Sequence, residues 1–277
     1  MKFTDSHCHF DFNEFNEFES QRTALLAQCA QKNIHQIVIP TISPDNWHSV
    51  MTLCSQQSAQ TNVARLDSQK QPSCKLYAAL GIHPWFLNKL DSSHLDRLAI
   101  TANRYNTQYI AIGETGIDGV IAKEQDNLIK QETFFDFQLS LAKQVNRAVI
   151  VHHRQSHHLI VPMLKQHKLH HGGIIHAFSG NGKQAKDYLD LGFYLGVGGT
   201  ITYSRATKTI KAIQQAPLTS LVLETDAPSM PLAGHQGEAN SPLRIIDVFN
   251  RLVEIRSESA EVIAEQLELN IAKVYQL

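Results

Sequence analysis

Eight short runs of apolar and β-branched residues recur along this chain, and that rhythm limits the possible folds more than any other feature. The runs lie near residues 2–6, 35–40, 76–81, 109–114, 148–152, 173–176, 193–197 and 220–225. Each has the length of a strand, and the segments between them carry helical spacing. From Arg22 to Ala30, Leu25 pairs with Cys29 and Leu26 with Ala30. Phe134, Phe137, Leu141 and Val145 step by three, four and four, and Ala206, Ile210 and Ile213 keep the same period. One apolar stripe per helix suits the covering of a sheet, so strands alternating with such helices pair in parallel through right-handed crossovers. An open doubly wound sheet accommodates the alternation too, but eight units in about 250 residues favour closure into a (β/α)8, TIM-like barrel. No Pro-, Gly- or Ser-rich linker breaks the pattern, so residues 1–277 are expected to form a single α/β domain.

Two connections are longer than simple turns. One, over 115–130, begins Gly116-Ile117-Asp118-Gly119; the other, over 227–240, carries Pro228, Pro231, Gly234 and Gly237. Both follow candidate ligand-bearing strands and are expected to wall the site. Gly196-Val197-Gly198-Gly199 lacks the third glycine of a dinucleotide fingerprint, and close backbone packing at a strand end explains it better.

The ends of the runs carry the chemistry. His7 and His9 close the first, and extended backbone turns residues two apart to the same side, toward one ion. Glu114, His152, His176 and Asp226 end the fourth, fifth, sixth and eighth runs. A lone histidine or aspartate at a strand end is often a satisfied capping group. Six such residues, all at the end of the barrel where active sites gather, are a metal centre. Nitrogen and carboxylate donors of this mix suit Zn, Mn or Fe, whereas Mg prefers more oxygens. A catalytic zinc uses about three protein ligands. Six donors therefore fit two divalent ions (Zn, Mn or Mg) bridged by the two oxygens of Glu114. His7, His9 and Asp226 would hold one ion, and His152 with His176 the other.

Composition sets the limits. With 25 basic and 26 acidic residues, a net charge of −1 gives no broad basic face for nucleic acid. The four cysteines are scattered, as expected of free thiols in a reducing compartment. The first strand starts at the N-terminus without room for a signal peptide, and no apolar run reaches the ~20 residues of a membrane span. A cytoplasmic location, with no membrane contact and no obligate protein partner, is the expectation. Of 15 histidines, His157, His158, His167, His170 and His171 lie in a polar stretch and are read as surface residues.

Six stretches resemble the TatD-type deoxyribonucleases of the amidohydrolase superfamily. They are Asp5-Ser6-His7-Cys8-His9-Phe10-Asp11, Ala79-Leu80-Gly81-Ile82-His83-Pro84, Ile112-Gly113-Glu114-Thr115-Gly116-Ile117-Asp118, Val151-His152-His153-Arg154, His176-Ala177-Phe178-Ser179-Gly180 and Leu223-Glu224-Thr225-Asp226-Ala227-Pro228. They follow the family's order over nearly the whole chain. The resemblance implies a TIM-like barrel, metal ligands at His7, His9, Glu114, His152, His176 and Asp226, and hydrolysis of DNA phosphodiesters. Asp226 would also be the general base, with His83 and Arg154 on the phosphate oxygens. Glu224, two before Asp226, would orient a ligand histidine or join a buried ion pair. Two departures fall in the pattern: His152-His153-Arg154 replaces His-Ser-Arg, and Asn240-Ser241-Pro242 replaces Asn-Glu-Pro. Both bear on the substrate. An amidohydrolase acting on a small amide, lactone or ester, a histidinol-phosphatase-type phosphoesterase, and a non-enzymatic barrel binding metal and nucleotide are the competing readings. Glu114, where many amidohydrolases carry a carboxylated lysine, favours the TatD-like branch.

Overall fold

The computed structural model describes residues 1–16, 19–66 and 73–277. Its strands are β1 (Phe3–Asp5), β2 (Ile34–Pro40), β3 (Lys75–Leu80), β4 (Tyr109–Asp118), β5 (Ala148–Arg154), β6 (Gly173–Ile175), β7 (Phe193–Val197) and β8 (Leu221–Leu223). They form one eight-stranded sheet in sequence order, every ladder parallel. Main-chain bonds from Ser6 to Leu223, from Asp226 to His7 and from His9 to Ala227, each 2.8–2.9 Å, close the sheet where β1 meets β8. The result is the expected (β/α)8 barrel.

Helices fill the connections. Short α1 (Asn13–Asn16) and α2 (Glu19–Gln31) lead to β2, α3 (Trp47–Leu66) to β3, and α4 (Ser92–Arg104) to β4. Next come α5 (Gly119–Gln125), α6 (Leu128–Val145), α7 (His157–His167), α8 (Gly182–Leu189) and α9 (Thr207–Gln215); α10 (Ile245–Ile255) and α11 (Ala260–Tyr275) end the chain. No helix among the described residues is long and apolar enough to cross a membrane.

Strand alternation splits the core in two. Val38, Ala79, Ala111, Ala148, Ile150, Ile174, Tyr194 and Val222 fill the barrel, joined by Ile271, Val274 and Tyr275 of α11. Their neighbours Ile37, Ile39, Leu80, Ile112, Val149, Val151, Ile175, Leu195 and Leu223 pack outward against the helices. Helix α11 thus plugs the barrel from the N-terminal ends of the strands, and the opposite end is left for a site.

Three local expectations change. The stretch after Glu114 is no long loop: β4 continues through Asp118 across a register shift between Ile112 and Thr115, and α5 follows at once. The buried face of α6 runs through Gln131, Phe134, Phe135, Gln138, Leu141 and Ala142, with Phe137 and Val145 only partly covered. Two buried glutamines interrupt the apolar stripe because each satisfies buried main chain. Gln138 accepts from Ile82 N at 2.8 Å and donates to Ile82 O at 3.1 Å, and Gln131 accepts from Asp118 N at 2.8 Å. Ala206 caps α9 rather than lying within it. All four cysteines are buried free thiols.

Candidate metal centre

The residues that end or follow the strands meet at the C-terminal mouth of the barrel. His7 Nε2 lies 3.4 Å from His9 Nε2, 3.1 Å from Glu114 Oε2 and 3.6 Å from Asp226 Oδ1. His9 Nε2 lies 3.6 Å from the same Glu114 oxygen and 3.5 Å from the same Asp226 oxygen. Four donors at metal–ligand distances of about 2.0–2.1 Å in a tetrahedron are separated by about 3.4 Å. These four atoms have the separation that a small divalent cation requires.

The second oxygen of Glu114 faces the other way. Its Oε1 is 2.9 Å from His152 Nδ1, 3.3 Å from His83 Nε2 and 3.9 Å from His176 Nε2. One carboxylate therefore serves two groups of donors. His176 stands between them, with Nε2 3.7 Å from Asp226 Oδ1 and its ring stacked on His7 at 3.5 Å between centroids. By mutual distance His176 groups with His7 and Asp226, whereas the sequence paired it with His152.

His83 also groups with Glu114 and His152 at ligand distance, but its tautomer makes it a donor. Its Nδ1 accepts the Trp85 N–H at 3.1 Å, so the neutral ring carries its proton on Nε2, the atom aimed at Glu114. A ring nitrogen with a proton holds no metal. His152 is set the opposite way. Its Nε2 points at Asp118 Oδ2, 3.1 Å distant, which leaves Nδ1 as the lone pair facing the centre. Likewise His176 turns Nδ1 to Glu224 Oε1 at 3.1 Å and presents Nε2. Glu224 Oε1 also accepts from Ala177 N at 2.6 Å. Gly196 makes this possible: a Cβ there would lie 2.3 Å from Glu224 Oε2, so its glycine admits a carboxylate, a tighter approach than backbone packing alone.

Asp118 joins the parts. Its Oδ2 accepts from Trp85 Nε1 at 2.7 Å and from His152, and stands 3.8 Å from Arg154 Nη1. Its Oδ1 caps α5 through Val120 N and Ile121 N at 2.9 and 3.0 Å. Sequence reading placed Asp118 in a loop walling the site rather than beside the donors, because it ended β4 at Glu114. Residues 114 and 118 are an even number apart, and a strand carried through Ile117 would have placed both on one face.

Electrostatics match the donor roles at His7, His9 and Glu114. Burial keeps His7 well below its ordinary pKa, with nearby His176 adding to the effect, and lowers His9 to about 4. Burial lowers His83 as well. All three are neutral at pH 7, as a ligand or a neutral donor must be. Burial would raise Glu114, but His83, His7 and His176 outweigh it and hold the carboxylate well below its usual range. Burial would lower His176, yet Glu224, Asp226 and Glu114 push it up to about 10. Burial raises Asp226 to about 7. A protein without a cation here balances its carboxylates with protons on histidine; a divalent ion would displace them.

The centre opens into a cleft of about 470 Å³. Phe12, Trp85, Phe86 and Met230 line one side, and His153, Arg154 and Ser179 the other. Trp85 and Phe86 are 44% and 42% exposed, and Asp118 pins the Trp85 indole. Arg154 and His83, read as phosphate contacts, both line this cleft. Of the two departures noted in the sequence, only His153 does. Asn240 instead donates to Thr225 O and Met230 O at 2.8 and 3.2 Å, tying down the chain after β8, and Ser241 caps the turn at Pro242–Arg244. Of the five histidines read as surface residues, His158 and His170 are exposed, while His157 is half-buried against Tyr188.

The chain is similar to known proteins over nearly its whole length. A family model described as TatD related DNase matches residues 4–276. An uncharacterized metal-dependent hydrolase of Escherichia coli K12, YjjV, is 40% identical over 96% of this chain and 95% of its own length. A metal-dependent hydrolase of Haemophilus influenzae is 34% identical over 99% and 100%. The crystal structure of the E. coli YjjV TatD homolog superposes with a TM-score of 0.86 at 38% identity, covering 99% and 98% of the two chains. A TatD family hydrolase from Entamoeba histolytica shares the fold, with a TM-score of 0.82 at 19% identity.

Proposed function

This chain belongs to the TatD family of metal-dependent hydrolases, and we propose that the bond it cleaves is a phosphodiester at the end of a short DNA strand. The observation carrying this reading is the pairing of Glu114, whose two oxygens face two donor groups, with the Nε2–H of His83 and the guanidinium of Arg154 in one cleft. A phosphodiester offers two non-bridging oxygens and a negative charge to such a set; a carboxyl ester or amide offers one carbonyl oxygen and no charge.

His7, His9, Asp226 and Glu114 would hold one divalent ion and Glu114 with His152 a second, with His176 beside the first group. Bound there, such ions supply hydroxide near neutral pH and screen the phosphate charge. The chain's own residues do the rest. His83 donates Nε2–H to one non-bridging oxygen, and the planar fork of Arg154 takes the other. Asp226 accepts the proton of the attacking water as the new oxygen–phosphorus bond forms. The bond to the departing sugar oxygen breaks, and that oxygen receives the proton from Asp226. The small net charge and the single arginine lining the cleft fit a strand end better than a duplex.

The test is hydrolysis of single-stranded DNA, duplex DNA and p-nitrophenyl esters in Mg, Mn or Zn. Cleavage of single-stranded DNA, reduced about 100-fold or more in Asp226→Asn, is expected. Turnover of carboxyl esters without any phosphodiester cleavage would move the function to the small-molecule amidohydrolases. Full activity in Asp226→Asn would remove the base.

A further inference from the structure

A second groove, about 440 Å³, adjoins the metal cleft and shares His153, Arg154 and Ser179 with it. It lies between the barrel wall and the helices α7 and α8. His153 reaches it because β5 alternates: His152 turns into the barrel and His153 turns out, where its ring meets Phe178 and Tyr188 at 5.9 and 5.8 Å between centroids. His157, at the start of α7, packs on the same tyrosine at 4.9 Å.

Three buried polar atoms without a partner lie on side chains that line this groove. Tyr188 is fully buried and its hydroxyl is unbonded, as are His153 Nε2 and His157 Nδ1. An unpaired buried polar group costs about 1–3 kcal/mol, so three around one groove call for a ligand-side explanation. Their chemistry is mixed. His157 Nε2 donates to Asp187 Oδ2 at 3.1 Å, which leaves Nδ1 as an acceptor. The Tyr188 hydroxyl donates or accepts, and burial raises its pKa beyond the range in which it ionises. A phosphate requires donors and positive charge, and an acceptor beside it would be repulsive. Among the described residues, the only formal cation shared by the two clefts is Arg154, at their junction.

The turn that forms the groove floor is firmly built. Gln155 takes a φ of +54°, Ser156 Oγ donates to Ile117 O at 2.5 Å, and Arg154 N donates to Ser156 Oγ at 3.2 Å. A Cβ on Gly119 would lie 2.8 Å from Gln155 O, so glycine there lets this turn press against the end of β4.

We propose that the groove between α7 and α8 binds the nucleobase adjoining the scissile phosphate, reading its mixed donor–acceptor edge through His153, His157 and Tyr188 while Arg154 holds the phosphate at the entrance. The assignment rests on the phosphodiester reading above, and a binding experiment on metal-free protein separates the two. In EDTA, calorimetric titration compares 2′-deoxyadenosine 5′-monophosphate with 2-deoxyribose 5-phosphate. The base is expected to tighten binding about tenfold, the worth of one or two net hydrogen bonds. His153→Ser or Tyr188→Phe removes most of that margin and leaves the sugar-phosphate affinity unchanged. Tyr188→Phe keeps the ring and the packing, so it reports on the hydroxyl alone.

The subsite is overturned if the base adds nothing in the wild-type protein. It is also overturned if the margin survives both variants, an outcome that would put the base on Trp85 and Phe86 instead. A protein that shows the margin yet cleaves no phosphodiester when loaded with metal loses the proposed reaction and keeps the binding site.

Discussion

The barrel holds its candidate metal donors in two ways, and the contrast between β1/β8 and β4/β5 shows why both are needed. β1 and β8 are three residues each and stop before their donors. His7, His9 and Asp226 ride on irregular backbone beyond the strand ends, and main-chain bonds among those same segments close the barrel. What fixes them is a buried polar network. Asp5 accepts from Thr225 Oγ1 at 2.6 Å, from Thr225 N at 3.0 Å and from His7 N at 3.2 Å. β4 and β5 instead run ten and seven residues, and their ladder continues past the donors, pairing Gly116 with His152 and Asp118 with Arg154. There the backbone is already held, and the side chain needs only a partner to set its tautomer. Donors on loose chain need a network behind the main chain; donors inside a ladder need one acceptor behind the ring.

The sharpest way to break this comparison is Asp118→Asn. The carboxylate accepts on both oxygens, from Trp85 and His152 on one and from α5 on the other. An amide must set its NH2 against one of those donor sets. Turned toward His152, it makes Nε2 an acceptor and puts the proton on Nδ1, the atom that should face the metal. Loss of such an outer partner costs about 10–100-fold in metal affinity. Elemental analysis after dialysis should show reduced metal, while urea unfolding shows a fold still intact. Unchanged metal uptake would mean that the β4/β5 ladder alone orients His152.

Thr225→Val probes the other side. The hydroxyl that donates to Asp5 also accepts from Ala227 N at 3.2 Å, and valine does neither. Buried groups left unpaired cost about 1–3 kcal/mol, so unfolding by urea should report a loss in that range. The loss should come with weaker retention of metal by His7, His9 and Asp226, because the segment carrying Asp226 is the one released. A variant that unfolds earlier but keeps its metal would show that backbone closure, rather than the network, positions these donors.

The same contrast explains what the sequence made legible. All eight strands, and the donors at or near their ends, stand out because each is an apolar run broken by a polar residue. Asp118, Gln131 and Gln138 do not stand out. Each is a polar residue whose partner is main chain or a ring far along the chain: Gln138 reaches back to Ile82, Gln131 to Asp118, and Asp118 across to Trp85 and His152. Periodicity registers only what is apolar, so it drew the stripe of α6 through Phe137 and Val145 and ended β4 too soon. The tautomer of His83 is equally invisible in sequence, since it depends on the Trp85 N–H two residues on, in a turn that only the folded chain forms.

The approach to β8 has an outer support that sharpens the comparison at its weakest point. Arg256, at the end of α10, donates to Ile213 O at 2.8 Å and to Ala216 O at 2.7 Å, where α9 turns toward β8. Glu258 holds that guanidinium with both oxygens, at 2.5 and 3.1 Å. The bonds from Arg256 lower the Glu258 carboxyl to about 2 from its ordinary value of 4.5. A depressed carboxyl stabilises the fold above its unfolded pKa, and that contribution disappears as pH falls from about 4.5 to about 2. Glu258 lies near the surface, where solvent screens such a pair, so Glu258→Gln should cost less than about 1 kcal/mol at pH 7. Urea unfolding of the two proteins should differ at pH 7 and converge toward pH 2, with metal content equal at neutral pH. If the variant also released metal, the β1/β8 donors would depend on packing outside the barrel as well as on the Asp5–Thr225 network. The line between a network-held edge and a ladder-held edge would then have to be drawn further out.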